Sequence, residues 1–131
     1  MSTLAVATVK SISSAAPVFQ NTSGTEKGQL VKAWANFDQT DQSIRGSFNV
    51  SSLADDGVGR TEVNYTNAMS NTNYCGLIYN NARNVEIIVN NFNNDYMGGL
   101  VLYTSKMAVS GYTGSAFQDS KIFTVLAIGD N

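Results

Sequence analysis

Leu30-Val31-Lys32-Ala33-Trp34-Ala35-Asn36-Phe37, then Ser43-Ile44-Arg45-Gly46-Ser47-Phe48-Asn49-Val50-Ser51-Ser52-Leu53, then Glu62-Val63-Asn64-Tyr65, form a stretch in which apolar and polar residues alternate. A period of two belongs to the β-strand, whose successive side chains point to opposite faces of the sheet. Val31, Ala33, Ala35 and Phe37 fall on one side of the first run. Ile44, Gly46, Phe48 and Val50 do so in the second, and Val63 and Tyr65 in the third. The spacing therefore predicts strands over 30–37, 44–52 and 60–66, each with one buried face. Asp38-Gln39-Thr40-Asp41 and Ala54-Asp55-Asp56-Gly57-Val58-Gly59 supply the turns between them.

Working outward, residues 2–9 alternate as one further strand and run into a linker whose single proline, Pro17, bars helix continuation. A lone strand cannot bury both faces, so it must pack on the main body or on a neighbouring chain. Residues 18–28 are a turn-rich bridge. Strands are expected again at 74–79, 85–91, 99–105 and 122–128, each bounded by Asn, Gly or Ser. No segment sustains a helical period. The expected fold is an all-β antiparallel sandwich of about eight strands, with residues 1–17 as an attachment or oligomerisation strand and linker and residues 18–131 as the body. Strand 122–128 is apolar on both faces, which suits either a central position in the core or a face against another subunit.

Charged residues make up 14% of the chain, against ~25% in ordinary soluble domains, so the surface must be polar through Asn, Ser and Thr. A net charge of −2 without a basic cluster argues against nucleic acid as a partner. No apolar run is long enough to insert in a membrane, and Met1-Ser2-Thr3 lacks the charged opening of a secretory signal. Histidine is absent, which removes His-based triads and His-bearing metal sites.

The remaining candidates for chemistry are few. Asp55-Asp56 and the pair Asp38 and Asp41 are read as turn-forming carboxylates rather than as a glycosidase pair or a calcium site. Gly57-Val58-Gly59 lacks the Gly-Lys pair of a phosphate loop. Cys75 stands alone and is expected as a core thiol. Trp34 lies opposite Phe37 and suits packing or an interface between subunits more than a ligand platform. No catalytic, cofactor or metal residue is assigned, and the chain is expected not to be an enzyme.

Two readings attach to the asparagine clusters at 80–84 and 90–95. They are polar hairpin loops, or they form a surface in which amides and aromatic rings recognise an uncharged, hydroxyl-rich ligand such as a surface polysaccharide. The second reading selects Tyr79, Asn80, Asn81, Arg83, Asn91, Phe92, Asn93, Tyr96 and Tyr112.

The text from Phe19-Gln20-Asn21-Thr22-Ser23-Gly24-Thr25-Glu26 through the three alternating runs to Val63-Asn64-Tyr65-Thr66, Ala68-Met69 and Asn73-Tyr74 resembles a β module of bacteriophage tail-fibre and receptor-binding proteins. Ser2-Thr3-Leu4-Ala5-Val6-Ala7-Thr8-Val9 and Val125-Leu126-Ala127-Ile128-Gly129-Asp130 are similar to the ends of small fibre proteins of cyanophages. Asp38-Gln39-Thr40-Asp41 departs from the Asn-Gly turns common in that family, and residues 80–114 match none of its text. The resemblance implies a virion structural protein, made in the host cytoplasm and built into a tail fibre. It would be homotrimeric, touching other virion proteins on one side and a host-surface glycan or protein on the other. Leu4, Val6, Trp34, Phe123 and Val125 are the residues expected between subunits. A capsid decoration or head-fibre protein and a polysaccharide-degrading tailspike are the alternatives.

Overall fold

A computed structural model describes residues 5–10, 19–28, 30–80, 100–113 and 116–129. The chain forms two compact units, Met1–Leu30 and Val31–Asn131. In the first unit, β1 (Phe19–Gln20) pairs antiparallel with β2 (Glu26–Gly28). The Asn21 side chain closes the loop by accepting the amides of Ser23 and Thr25, and Gly24 supplies the positive φ of 79° that the turn needs. Residues 5–10 form no strand, contrary to expectation, and the remainder of that expected strand, Leu4 included, lies outside the described residues.

The second unit contains β3 (Val31–Asp38), β4 (Ser43–Phe48), β5 (Val50–Asp55), β6 (Arg60–Tyr65), β7 (Cys75–Asn80), β8 (Leu100–Leu102), β9 (Lys106–Ser110), β10 (Tyr112–Thr113), β11 (Ala116–Phe117) and β12 (Phe123–Ile128). No helix occurs among the described residues. Two antiparallel sheets of four strands carry the fold, in the orders β4-β3-β12-β7 and β5-β6-β9-β8, with β10 and β11 as a separate small pair. Ala33, Ala35, Phe37, Phe123, Val125 and Ala127 from the first sheet share one core with Val63, Tyr65, Met107 and Val109 from the second. The architecture is β-sandwich-like. At the centre, Phe37 and Phe123 stack with ring centroids 5.5 Å apart, each burial contributing roughly 2–3 kcal/mol.

Alternation places the core residues of β3 and β6 as expected, and β12 is a central strand, paired with β3 on one side and β7 on the other. The expected strand 44–52 is instead two strands in different sheets. The chain turns the corner at Asn49, whose φ of 56° no continuing strand could adopt. Its amide nitrogen donates to the carbonyls of Lys32 and Asn67, both at 3.0 Å, and its oxygen accepts the Asn67 amide at 2.8 Å. As an edge strand, β4 leaves Ile44 and Phe48 exposed where a buried face was expected. The region after Ser105, where no strand was expected, forms β9 in the middle of the second sheet. Expected strand 85–91 lies outside the described residues.

Two buried phenols tie the sheets together near β8. The hydroxyls of Tyr65 and Tyr74 are 3.1 Å apart, and Tyr74 donates to the Tyr103 carbonyl at 2.9 Å. Burial pushes both phenols above the ordinary tyrosine range, Tyr65 the further because its bond to Tyr74 adds to the effect, whereas the hydrogen bonds of Tyr74 partly offset it. The folded chain therefore keeps these protons at a pH where the unfolded chain gives them up. Stability is full below about pH 10 and is lost as pH rises beyond it. Denaturant titrations from about pH 8 to 11 should show midpoints falling at the alkaline end. Tyr65→Phe should lower stability by about 1 kcal/mol at neutral pH and flatten the alkaline fall. An unchanged alkaline slope in that variant would contradict the assignment.

Candidate functional site

The outer face of the β4-β3-β12-β7 sheet carries an apolar row across its full width, with Asn36, Thr124 and Lys32 on the same side. Strand register sets Phe48 opposite Trp34, Trp34 opposite Leu126, and Leu126 opposite Leu77, so one row of large side chains crosses all four strands. The neighbouring row runs Gly46, Asn36, Thr124 and Tyr79. Trp34, Phe48, Leu77 and Tyr79 are 37%, 54%, 53% and 59% exposed. With ~150–250 Å² for each large side chain when free, these four alone leave about 400 Å² open, within the size range of the functional patches of monomers.

Local sequence explains why this face is flat. A Cβ at Gly46 would stand 3.3 Å and 3.5 Å from Cη2 and Cζ3 of Trp34, so the indole lies down over the bare glycine instead of standing off the sheet. Asn36 donates its amide to the Thr124 hydroxyl at 2.9 Å, which leaves the polar part of the surface paired within itself. None of the eight residues in the two rows is charged. The Asp38–Arg45 ion pair, at 2.8 Å, joins β3 to the edge strand β4 at one end of the sheet. The opposite outer face differs in kind: Glu62 bridges to Lys106, and Asn64 donates to Ser52.

Of the residues expected to touch a receptor, Tyr79 lies on the apolar face. Asn80 turns inward and accepts a hydrogen bond from Ser120, because the alternation of β7 gives residues 76, 78 and 80 to the core side. Tyr112 belongs to β10, and its side chain lies outside the described residues, as do Asn81, Arg83, Asn91, Phe92, Asn93 and Tyr96. Of the residues expected between subunits, Trp34 is exposed and central, and Val6 is exposed in the first unit. Phe123 and Val125 are corrected: both are fully enclosed in the subunit's own core, since β12 directs its odd-numbered residues inward and Leu126 outward. Cys75, expected in the core, is exposed on the outer side of β7 opposite Ile128. Phe48, Leu77 and Leu126 are not apparent as surface residues from sequence. Their signal is the register between strands distant in the chain.

The carboxylates act as turn staples. Asp55 accepts the Gly57 amide at 2.9 Å, and Asp41 accepts the Ser43 amide at 3.0 Å. Asp38 accepts both the hydroxyl and the amide of Thr40, and these bonds, with the Arg45 guanidinium, hold its carboxyl below the usual aspartate range. Among the described residues, no three carboxylate or thiol groups converge as metal ligands would.

Comparison of the chain with protein-family models, with curated proteins and with solved structures gives no match in any of the three.

Proposed function

We propose that the chain is a non-catalytic structural module of a bacteriophage virion, a tail-fibre or fibre-tip subunit that assembles as a homotrimer and contributes to attachment at the host surface. One observation carries this reading. The text that resembles fibre modules runs from Phe19 to Tyr74, and its three alternating runs coincide with β3, β4, β5 and β6, the two hairpins that supply half of each sheet. The resemblance therefore falls on the scaffold of the sandwich, where residue identity is set by packing and corner geometry.

Three further features support it. Three of the four acids considered for a sugar-cleaving tailspike, Asp38, Asp41 and Asp55, are occupied as loop staples. Neither of the two cross-strand rows through Trp34 and Asn36 carries a charge, which suits a subunit that meets other protein more than one that meets phosphate. An apolar row crosses one whole sheet, as expected of a module that works in contact with neighbours. Attachment by several copies would let weak individual contacts add up to firm adhesion.

Antibody raised against the purified chain, applied to intact virions and viewed by electron microscopy, should label the tail fibre or its tip. Pre-incubating host cells with the purified chain should slow phage adsorption. Label confined to the capsid, or adsorption untouched at saturating protein, would overturn the assignment.

A further inference from the structure

We infer that the outer face of the β4-β3-β12-β7 sheet is a stacking platform for an uncharged pyranose sugar, with the Trp34 indole as its floor. The inference deepens the attachment reading above and rests on it only for the source of the sugar, an oligosaccharide of the host surface. It gives Trp34 a role other than the subunit contact expected from sequence.

The pose of the ring carries the argument. The indole lies over Gly46, 3.3 Å and 3.5 Å from where a Cβ would stand, so one side of the ring rests on the sheet while 37% of the residue stays open to solvent. A pyranose presents C–H bonds on a face and hydroxyls around its edge. The electron-rich face of an indole attracts such polarised C–H groups, and a ring already held by its own sheet loses little freedom on binding. The hydroxyls need both donors and acceptors within reach. Asn36, two residues along β3 on the same side, donates one amide hydrogen to Thr124 and keeps its oxygen, and the Thr124 hydroxyl keeps its hydrogen. Nε1 of Trp34 and the Tyr79 hydroxyl likewise have no hydrogen-bond partner among the described residues.

Size and charge set other occupants aside. The ~400 Å² left open by Trp34, Phe48, Leu77 and Tyr79 is about half of what each partner gives to a standard protein–protein interface. The same area covers one face of a short oligosaccharide. From Trp34 to Tyr79 the face crosses two strand spacings and one two-residue step, about 12 Å in all, the length of roughly two or three joined rings. Lys32 shares this side but already has an interaction within the chain, and no acidic or basic residue occurs in either cross-strand row, so nothing there calls for a charged ligand. A nucleic acid, whose bases also stack on indoles, would need cations along its backbone.

Because Trp34 is the single tryptophan, its emission reads the platform directly. The full chain is titrated with β-linked tetramers of glucose and of galactose and with the polysaccharide released from host cells, and at least one of them should give a saturable blue shift. By calorimetry with the same sugar, Trp34→Ala should weaken binding ~10-fold or more, and Trp34→Phe, which keeps an aromatic face, should weaken it less. Tyr79→Phe removes only a hydroxyl and should lower affinity ~3-fold. Ser52→Asp, on the polar sheet, should leave binding unchanged. Circular dichroism of every variant should keep the wild-type strand signal. Emission unmoved by all of these sugars, or binding that survives Trp34→Ala, overturns the platform. A blue shift that grows with protein concentration in the absence of sugar, together with a rise in mass, also overturns it, because a second copy then covers the face. The fibre reading fails separately: label confined to the capsid removes it whatever the titration gives, and it stands if the chain slows adsorption while Trp34 ignores every sugar.

Discussion

Gly59→Ala is expected to destabilise the folded chain by about 4 kcal/mol or more, enough to abolish a folded population in a domain of ordinary stability. Gly59 is buried with φ at +70°, a conformation costing an alanine on the order of 1 kcal/mol. Lack of space costs more. A Cβ there would lie 2.5 Å from the Gln118 nitrogen, 2.6 Å from the Gly111 oxygen and 2.9 Å from the Gln118 oxygen. All three are backbone atoms, so no side chain can swing aside. The same glycine fastens the loop to its surroundings: its amide donates to Asp119 at 2.6 Å, and its carbonyl accepts the amide of Gly111 at 2.7 Å and the Gln39 side chain at 3.3 Å. Moving the loop to relieve the overlap would break these bonds together. Gly57→Ala is the control, since φ at +103° is at least as unfavourable there but the nearest atom is the end of the Arg60 side chain, 3.1 Å away. Urea titrations should show the Gly59 variant losing much more than the Gly57 variant, and equal losses would mean that the close backbone approach is unimportant.

Asn49→Ala should cost about 3 kcal/mol, the second largest effect. The substitution removes the two bonds to the carbonyls of Lys32 and Asn67 and the acceptor for the Asn67 amide, and it puts a residue without a compensating polar side chain into the left-handed region. Asn49→Gly separates the two contributions, because glycine takes φ of 56° freely but makes none of the bonds. The stability order should be wild type, then Gly, then Ala. A glycine variant as stable as the wild type would show that the dihedral angle alone matters at this corner.

The elements legible in the sequence are those whose burial is one-sided. In β3 and β6, every second residue enters the core, and alternation places Ala33, Ala35, Phe37, Val63 and Tyr65 correctly. The corner at Asn49 was not legible, because Phe48-Asn49-Val50 continues the apolar rhythm while the backbone reverses hand. A period of two records side-chain polarity and carries no trace of a single positive φ. Strand β9 alternates as Lys106-Met107-Ala108-Val109-Ser110, but a tight connection joins it to β8, with the Tyr103 amide donating to the Lys106 carbonyl, so no cluster of turn residues announced it. For the candidate surface, the outward position of Trp34 followed from its place opposite Phe37. Its neighbours Leu126 and Leu77 come from β12 and β7, and only strand order brings them into its row. Cys75, Phe123 and Val125 were misplaced for the same reason: an apolar run shows that a strand is buried, and not which side of it meets the core.

The position of β12 between β3 and β7 also bears on how the chain comes into being. During synthesis β7 leaves the ribosome more than forty residues ahead of Phe123–Ile128, a delay of roughly 2–9 s at ~5–20 residues per second. Through that interval β3 and β7 each wait with an unsatisfied edge where their shared neighbour will go, and β7 has none of the charges that discourage misassociation. Nascent chains emerging side by side on one message would offer one another the missing strand, so slowed translation near the end of the coding region should favour tangled products over correctly closed subunits.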